Sequence, residues 1–296
     1  MEKIIIGSRG SDLALWQANH VKNQLEKLDC DVEIKIIITQ GDAIQDLSFD
    51  KLEGKGFFTK EIENELLAGT IDLAVHSHKD LETNPPAGLM IAAVSEREDP
   101  SELLLINKTC VDELMPWKLE DQASIGTSSA RRKSLVVHFR SDLKIKELRG
   151  NVPTRIQKLR DRHYDAILLA KAGVDRLNLD LSDFHVVVLN PKEFVPAPAQ
   201  GVLGLQIREN DDRMFEIMQK MNNKAVEKQI FIERKVLNLM DGGCQLPLGV
   251  YCENKNSVFV SFANSWEKGA SLFHFTNDNF ELTAENIVEK LKSQRF

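Results

Sequence analysis

The sequence predicts an α/β protein: two α/β domains joined by a double crossover, followed by a small α+β domain. Three observations carry this. The opening residues run strand, helix, strand, at the spacing of a parallel βαβ unit. Proline-bearing segments near Pro100 and at Asn190-Pro191 and Pro196-Ala197-Pro198 interrupt the pattern twice, so the chain leaves the first domain and returns to it. Beyond Asp241-Gly242-Gly243 the pattern turns to antiparallel alternation closed by one helix. The predicted domains are residues 1–98 with 197–215, residues 99–196, and residues 216–296. Two links between the first two imply a cleft.

Each element has a local reason. Residues 3–6 are a short apolar run and read as a strand. Gly7-Ser8-Arg9-Gly10-Ser11 turns the chain. Ser11 or Asp12 can then cap a helix to about Leu28, with Leu13, Trp16, Val21, Leu25 and Leu28 as its apolar positions. The β-branched run at 32–38 is the second strand. Residues 39–55 lack periodicity, hold Gly41 and Gly54, and read as a mobile loop or lid. A helix follows over 57–67 and a strand over 71–76. Segments 88–94 and 102–106 continue the β pattern, with Arg97-Glu98-Asp99-Pro100 as a hinge between them. The second domain has strands near 124–125, 144–148, 166–170 and 185–189, with helices between. Residues 201–207 read as a strand that rejoins the first sheet. Residues 211–240 are largely helical; 246–252, 257–264 and 270–276 alternate, and a last helix spans about 283–292.

At 296 residues, with 42% hydrophobic and 28% charged residues, the chain is an ordinary globular protein of two or three domains. No apolar run approaches the length of a membrane span. MEKIIIGSRG reaches charge too soon for a signal peptide, so a cytoplasmic protein is expected. Cys30, Cys110, Cys244 and Cys252 are scattered without a CxxC pair and read as free thiols. A formal charge of −7 argues against bulk nucleic-acid binding.

Against that acidic background one stretch is basic. Residues 126–162 carry eleven Lys/Arg and three acids, a local charge of plus eight. Crowded like charges call for an anionic partner. Gly126-Thr127-Ser128-Ser129 reads as a strand end entering a helix that Ser128 or Ser129 can cap, with Arg131 and Arg132 in its first turn. Cations there oppose the helix dipole, so the placement asks for a ligand. Arg149-Gly150-Asn151-Val152-Pro153-Thr154-Arg155 repeats the arrangement, with Asn151 as cap. Guanidinium forks grip carboxylates or phosphates at two points. The plain alternative is a solvated basic face with surface ion pairs.

Other points are weaker singly. Asp80, in Val75-His76-Ser77-His78-Lys79-Asp80, follows a strand, where open α/β sheets place ligands; most such aspartates are turn or cap residues. His76 and His78 share a strand face but lack a third ligand, so no metal is expected. Cys244 lies on a glycine-flexible loop, suited to a functional thiol, although a lone cysteine is more often buried packing. Arg9 with Ser11, and Arg176, occupy further strand-to-helix corners.

In order along the chain, SRGSDLALWQA, GKGFFTKEIE, DLAVHSHKDL, EREDP, GTSSARR, LRGNVPTR, DAILLAKAGVDRL, PAPAQGVLGLQ and DGGCQLPLG resemble the porphobilinogen deaminases, also called hydroxymethylbilane synthases. The likeness is loose beyond the Cys244 loop, and Glu82 stands where the family usually has proline. The resemblance implies two periplasmic-binding-protein-like α/β domains and a small third one. It implies a dipyrromethane cofactor, thioether-linked to Cys244, and a transferase of tetrapyrrole and heme biosynthesis. That enzyme condenses four porphobilinogens head to tail, releases ammonia, and hydrolyses off the linear tetrapyrrole. By position, Asp80 matches the catalytic acid. Cys244, Lys79, Asp80, Ser129, Arg131, Arg132, Arg149 and Gly150 match the cofactor contacts. Arg9, Ser11, Gln17, Thr127, Arg149, Arg155, Arg176 and Gln200 match the substrate contacts, and Lys55 and Phe58 the lid loop. A monomer is expected, with neither nucleic acid nor membrane as partner.

The implied chemistry suits the residues. Six pyrroles carry about twelve carboxylates, which explains arginines at several corners. A fixed carboxylate stabilises the electron-poor species left by ammonia and handles pyrrole protons. The rival reading is a non-catalytic cytoplasmic anion-binding module, which needs the arginines but neither Asp80 nor Cys244. Nucleic-acid binding ranks third, since the basic stretch lacks interleaved aromatics.

Overall fold

A computed structural model describes residues 3–39, 59–243, 245–254, 257–276 and 280–293. In chain order its strands are β1 (Lys3–Ser8), β2 (Asp31–Ile36), β3 (Leu73–Ser77), β4 (Leu89–Val94), β5 (Glu102–Asn107), β6 (Ser124–Gly126), β7 (Lys144–Lys146), β8 (Ala166–Ala170), β9 (Phe184–Leu189), β10 (Leu203–Arg208), β11 (Leu248–Asn254), β12 (Ser257–Phe262) and β13 (Ser271–Thr276). The α-helices are α1 (Asp12–Glu26), α2 (Lys60–Leu67), α3 (Ala130–Phe139), α4 (Val152–Arg160), α5 (Lys171–Leu177), α6 (Asp212–Met221), α7 (Lys224–Leu239) and α8 (Phe280–Lys292). The chain divides into two units, Met1–Glu98 with Gly201–Lys228, and Asp99–Gln200 with Gln229–Phe296.

The first unit holds a sheet of order β2-β1-β3-β10-β4. β1 lies parallel to β2 and β3, as the βαβ reading requires. The returning strand β10 does rejoin this sheet, but antiparallel, between β3 and β4. On one face Ile4, Ile6, Leu73, Val75, Leu205 and Ile207 pack against Val21 and Leu25 of α1 and Met214 of α6. On the other, Ala74 and Leu89 pack against Ile62 and Leu66 of α2. Each of these buried Ile, Leu, Val and Met side chains contributes about 1.5–3 kcal/mol by leaving water.

The second unit repeats the plan. Its sheet runs β7-β6-β8-β5-β9, with β6 parallel to β7 and β8, and β5 antiparallel between β8 and β9. Counting each unit's parallel strands from its own start, both sheets read second, first, third, antiparallel, fourth. All six residues of β5 are buried, because helices cover both faces. Leu104, Ile106 and Ile125 face α3, and Leu103, Leu105 and Leu169 face α4 and α5. The same unit carries the three-stranded antiparallel sheet β11-β12-β13, packed on Ile232 and Val236 of α7 and on Ile287 and Leu291 of α8.

Several expected boundaries move for visible reasons. The first helix stops at Glu26 rather than Leu28, since the chain turns through Asp29 at φ 60°. The strand expected over 144–148 ends at Lys146, because Ser128 takes over. Its Oγ accepts from Leu148 N at 3.0 Å and donates to Leu148 O at 3.0 Å. The strand expected from 201 begins at Leu203; Gly201 has φ +89°, and a Cβ there would lie 2.4 Å from Glu98 O.

Candidate active site

The corner after β6 is built for tight approach. A Cβ on Gly126 would meet Tyr164 Cδ1 at 2.8 Å, so only glycine lets the strand end lie there. Thr127 is buried, and its Oγ1 accepts from Ser129 N at 3.3 Å. Of the two candidate caps, Ser129 serves: its Oγ accepts from Arg132 N.

Arg131 and Arg132 then point into the protein, only 5% and 6% exposed. Arg131 donates from Nη2 to Glu102 Oε1 at 2.6 Å and from Nη1 to Val195 O at 2.9 Å. Arg132 donates from Nη2 to Glu102 Oε2 at 2.7 Å and from Nη1 to Leu168 O at 3.1 Å. Glu102 is wholly buried, and Gln200, also buried, donates to its Oε1 at 3.1 Å and to Pro100 O at 2.8 Å. Burial lowers the Arg131 pKa; the Glu102 charge opposes that and the Arg132 charge adds to it. The Nε–H of Arg132 is buried without an acceptor among the described residues. Such an unmet donor costs about 1–3 kcal/mol.

Glu102 has no counterpart in the sequence reading. It opens an otherwise apolar strand, ELLLI, and that lone acid was the available signal. Because β5 runs antiparallel, its first residue lies level with Ala170, the last residue of β8. An N-terminal residue thus reaches the carboxyl edge of the sheet.

The basic stretch is less bare than its charge count implied. Besides Arg131 and Arg132, Lys133 pairs with Glu147 and lies 5.1 Å over the Trp266 ring. Arg140 grips Asp142 at two points, 2.7 Å each, and Arg160 meets Asp183 at 2.8 Å. Much of the compensation is therefore internal, as the plain alternative of ion pairs allowed, and less of it is left to a ligand than the charge count suggested. At the second basic corner Asn151 caps α4, accepting from Thr154 N at 2.9 Å. Gly150 has φ +112°, and its carbonyl accepts from Arg155 Nε at 2.7 Å. Arg149 and Arg155 are half-buried; Arg176, on α5 after β8, is buried.

In the first unit, β3 ends in a single 3-10 turn, His78–Asp80. Asp80 is exposed and Lys79 half-buried. Gln17, buried on α1, donates to Ser77 Oγ at 2.8 Å and so braces this corner. Of the two candidate caps for α1, Ser11 serves, accepting from Ala14 N. Arg9 follows the end of parallel β1, so Arg9, Ser11, Lys79 and Asp80 gather at one edge of the sheet. Beneath them His76 Nε2 meets Gln206 Oε1 at 2.9 Å, Gln206 Nε2 donates to Glu63 Oε1 at 3.0 Å, and Thr59 Oγ1 donates to Glu63 Oε2 at 3.2 Å. The Glu63 oxygens thus accept from Gln206 and Thr59, and the Gln206 amide oxygen faces His76. Burial lowers the His76 pKa to about 4.

Cys244, Lys55 and Phe58 lie outside the described residues. Cys30, Cys110 and Cys252 are free thiols. Among the described residues the group able to converge on a metal is Cys110, Glu120 and Asp165, not the histidines. Asp165 Oδ2 is already held by Ser124 N and Oγ at 2.7 Å each, and burial, the largest cause, pushes the Cys110 thiol up to about 11.

Two sheets of one strand order, each with charged side chains gathered at its carboxyl edge, define the class: a two-sheet α/β protein charged where such folds hold ligands. Residues 4–216 match the family model described as porphobilinogen deaminase, dipyromethane cofactor binding domain. The chain belongs to the porphobilinogen deaminase family. It is 44% identical to the porphobilinogen deaminase of Fusobacterium nucleatum, over 98% of this chain and 99% of that one. It is 42% identical to that of Nitratiruptor sp., over 98% and 93%, and 43% identical to that of Sulfurimonas denitrificans, over 84% and 79%. Similar solved structures include an arginine-specific periplasmic binding protein of Salmonella typhimurium, at 9% identity, TM-score 0.42, covering 77% of this chain and 94% of that one. Another is a periplasmic domain of BvgS from Bordetella pertussis, at 11% identity, TM-score 0.43, covering 74% and 86%. Family membership favours the transferase over the non-catalytic anion-binding module. Among the described residues no helix is long and apolar enough to cross a membrane.

Proposed function

We propose that this chain is a hydroxymethylbilane synthase. It joins four porphobilinogens head to tail with loss of ammonia, then releases the linear tetrapyrrole by hydrolysis, within tetrapyrrole and heme biosynthesis. The observation that carries this reading is identity above 40% with porphobilinogen deaminases over nearly the whole chain. When bound, the dipyrromethane supplies the primer to which substrate is added. The residues suit such a polyacid. Among the described residues Arg132 keeps a buried N–H without an acceptor, which a carboxylate oxygen satisfies. Ser129, Arg131, Arg149, Gly150 and Lys79 join it as cofactor contacts, and Cys244 is the attachment point. Arg9, Ser11, Gln17, Thr127, Arg149, Arg155, Arg176 and Gln200 serve the substrate. Gln17, Thr127 and Gln200 are buried, so their part is to brace the corners.

Asp80 is an exposed carboxylate at the edge of the first sheet. It stabilises the cation left on a pyrrole as ammonia departs, and accepts the proton released when the new carbon–carbon bond forms. Lys55 and Phe58 belong to the lid. The proposed domains are 1–98 with 197–215, 99–196, and 216–296, in a cytoplasmic monomer that binds neither nucleic acid nor membrane.

The test is the intact mass of the purified chain. It should exceed the sequence mass by a dipyrromethane, with a pyrrole colour reaction on the denatured protein. Cys244→Ser should show neither. An active chain at its bare sequence mass would refute the reading.

A further inference from the structure

We infer that Glu102 is a positioning residue: from the buried start of β5 its two carboxylate oxygens lock the guanidinium groups of Arg131 and Arg132 in the orientation that receives ligand carboxylates. This rests on the reading of those arginines as cofactor contacts.

The geometry is a three-part clamp. Each guanidinium spends one terminal nitrogen on Glu102, at 2.6 and 2.7 Å, and the other on a backbone carbonyl, Val195 or Leu168. Each planar guanidinium is held at both terminal nitrogens and joined to its side chain through Nε, and three points fix its plane, so neither group swings freely. Gln200 fixes Glu102 in turn, at 3.1 Å. Without the carboxylate, two adjacent buried guanidiniums would repel each other in a poorly screened site. With it, the trio keeps one net positive charge and the unmet Arg132 Nε–H. A preset cation with an unmet donor binds a carboxylate without reordering first.

The charge, rather than the shape, is what Glu102 supplies. Glu102→Gln keeps the size and one acceptor oxygen; Glu102→Asp keeps the charge on a shorter arm. In the purified full-length chain, the fraction carrying the dipyrromethane mass should fall at least fivefold in Glu102→Gln and recover most of its level in Glu102→Asp. A Gln variant that loads like the wild type overturns the inference, and so does an Asp variant that loads no better than the Gln variant. Where the Gln variant fails to fold, nitrogen-15 spectra of arginine-labelled wild type decide. Locked guanidiniums give separate, slowly exchanging Nη–H signals for Arg131 and Arg132; rotationally averaged signals overturn the clamp. A wild type without added mass would refute the hydroxymethylbilane synthase assignment, while the guanidinium signals would still report on Glu102.

Discussion

At the corner after β6, Arg131 and Arg132 are buried and held on Glu102, whereas at the corner after β3 Asp80 stands exposed on one turn of 3-10 helix. Both corners sit at the carboxyl edge of sheets with the same strand order. On the roles proposed for these residues, the difference lies in what each charge needs. A guanidinium that must present a fixed edge to an anion gains from internal partners, even at the desolvation cost of burial. A carboxylate that must meet successive reacting groups needs access, and its rigidity comes from the layer beneath it. There Gln17 holds Ser77, and His76, Gln206, Glu63 and Thr59 form a buried chain.

The largest effect is expected from Asp80→Asn. Turnover should fall about 10²–10⁴-fold, while unfolding free energy stays within about 0.5 kcal/mol, because the side chain is exposed. A large stability loss would mean that Asp80 is structural after all. Arg132→Met reverses the pattern. It takes the charged donor from Glu102 Oε2 and the donor from Leu168 O, both buried, and the fold should lose roughly 3–5 kcal/mol in denaturant titration. A stability change near zero would show that the buried trio is not tightly coupled.

The third test sharpens the aspartate side. His76 has its pKa lowered to about 4 by burial, against about 6.5 in an unfolded chain. Between those values the unfolded state binds the extra proton. The stabilising contribution is therefore complete above about pH 6.5 and is lost as pH falls toward 4. It amounts to roughly 3 kcal/mol over that window. Measured as the difference from His76→Gln, an unfolding free energy that stays flat from pH 6.5 to 4.5 would show that the chain beneath Asp80 is not sealed from water.

Local signals carried most of the fold. Caps were legible at Ser11, Ser129 and Asn151 because a side-chain oxygen three residues ahead of a backbone N–H is a short-range pattern. The return of the chain to its first sheet was legible from the proline-bearing crossings. The antiparallel sense of β5 and β10 was not, since a strand's apolar run carries no direction. Nor was Glu102, whose partners lie 29 and 30 residues away along the chain. Ser128, an equal candidate for the cap, turned instead to Leu148, twenty residues on. A count of charges cannot see such pairings, so it overstated how much of the basic stretch awaits a ligand.

The repeated strand order has a consequence for biosynthesis. All five strands of the second sheet fall between Glu102 and Leu189, whereas the first sheet must wait for β10 at Leu203–Arg208. On a ribosome the later sheet therefore has its full complement first. Until β10 emerges, β4 has no neighbour at all and β3 keeps one edge unpaired, the kind of edge that invites foreign strands. A nascent chain with about 200 residues clear of the ribosome has all the strands of one five-stranded sheet and not of the other, and of these two it is the amino-terminal sheet, begun first, that closes last.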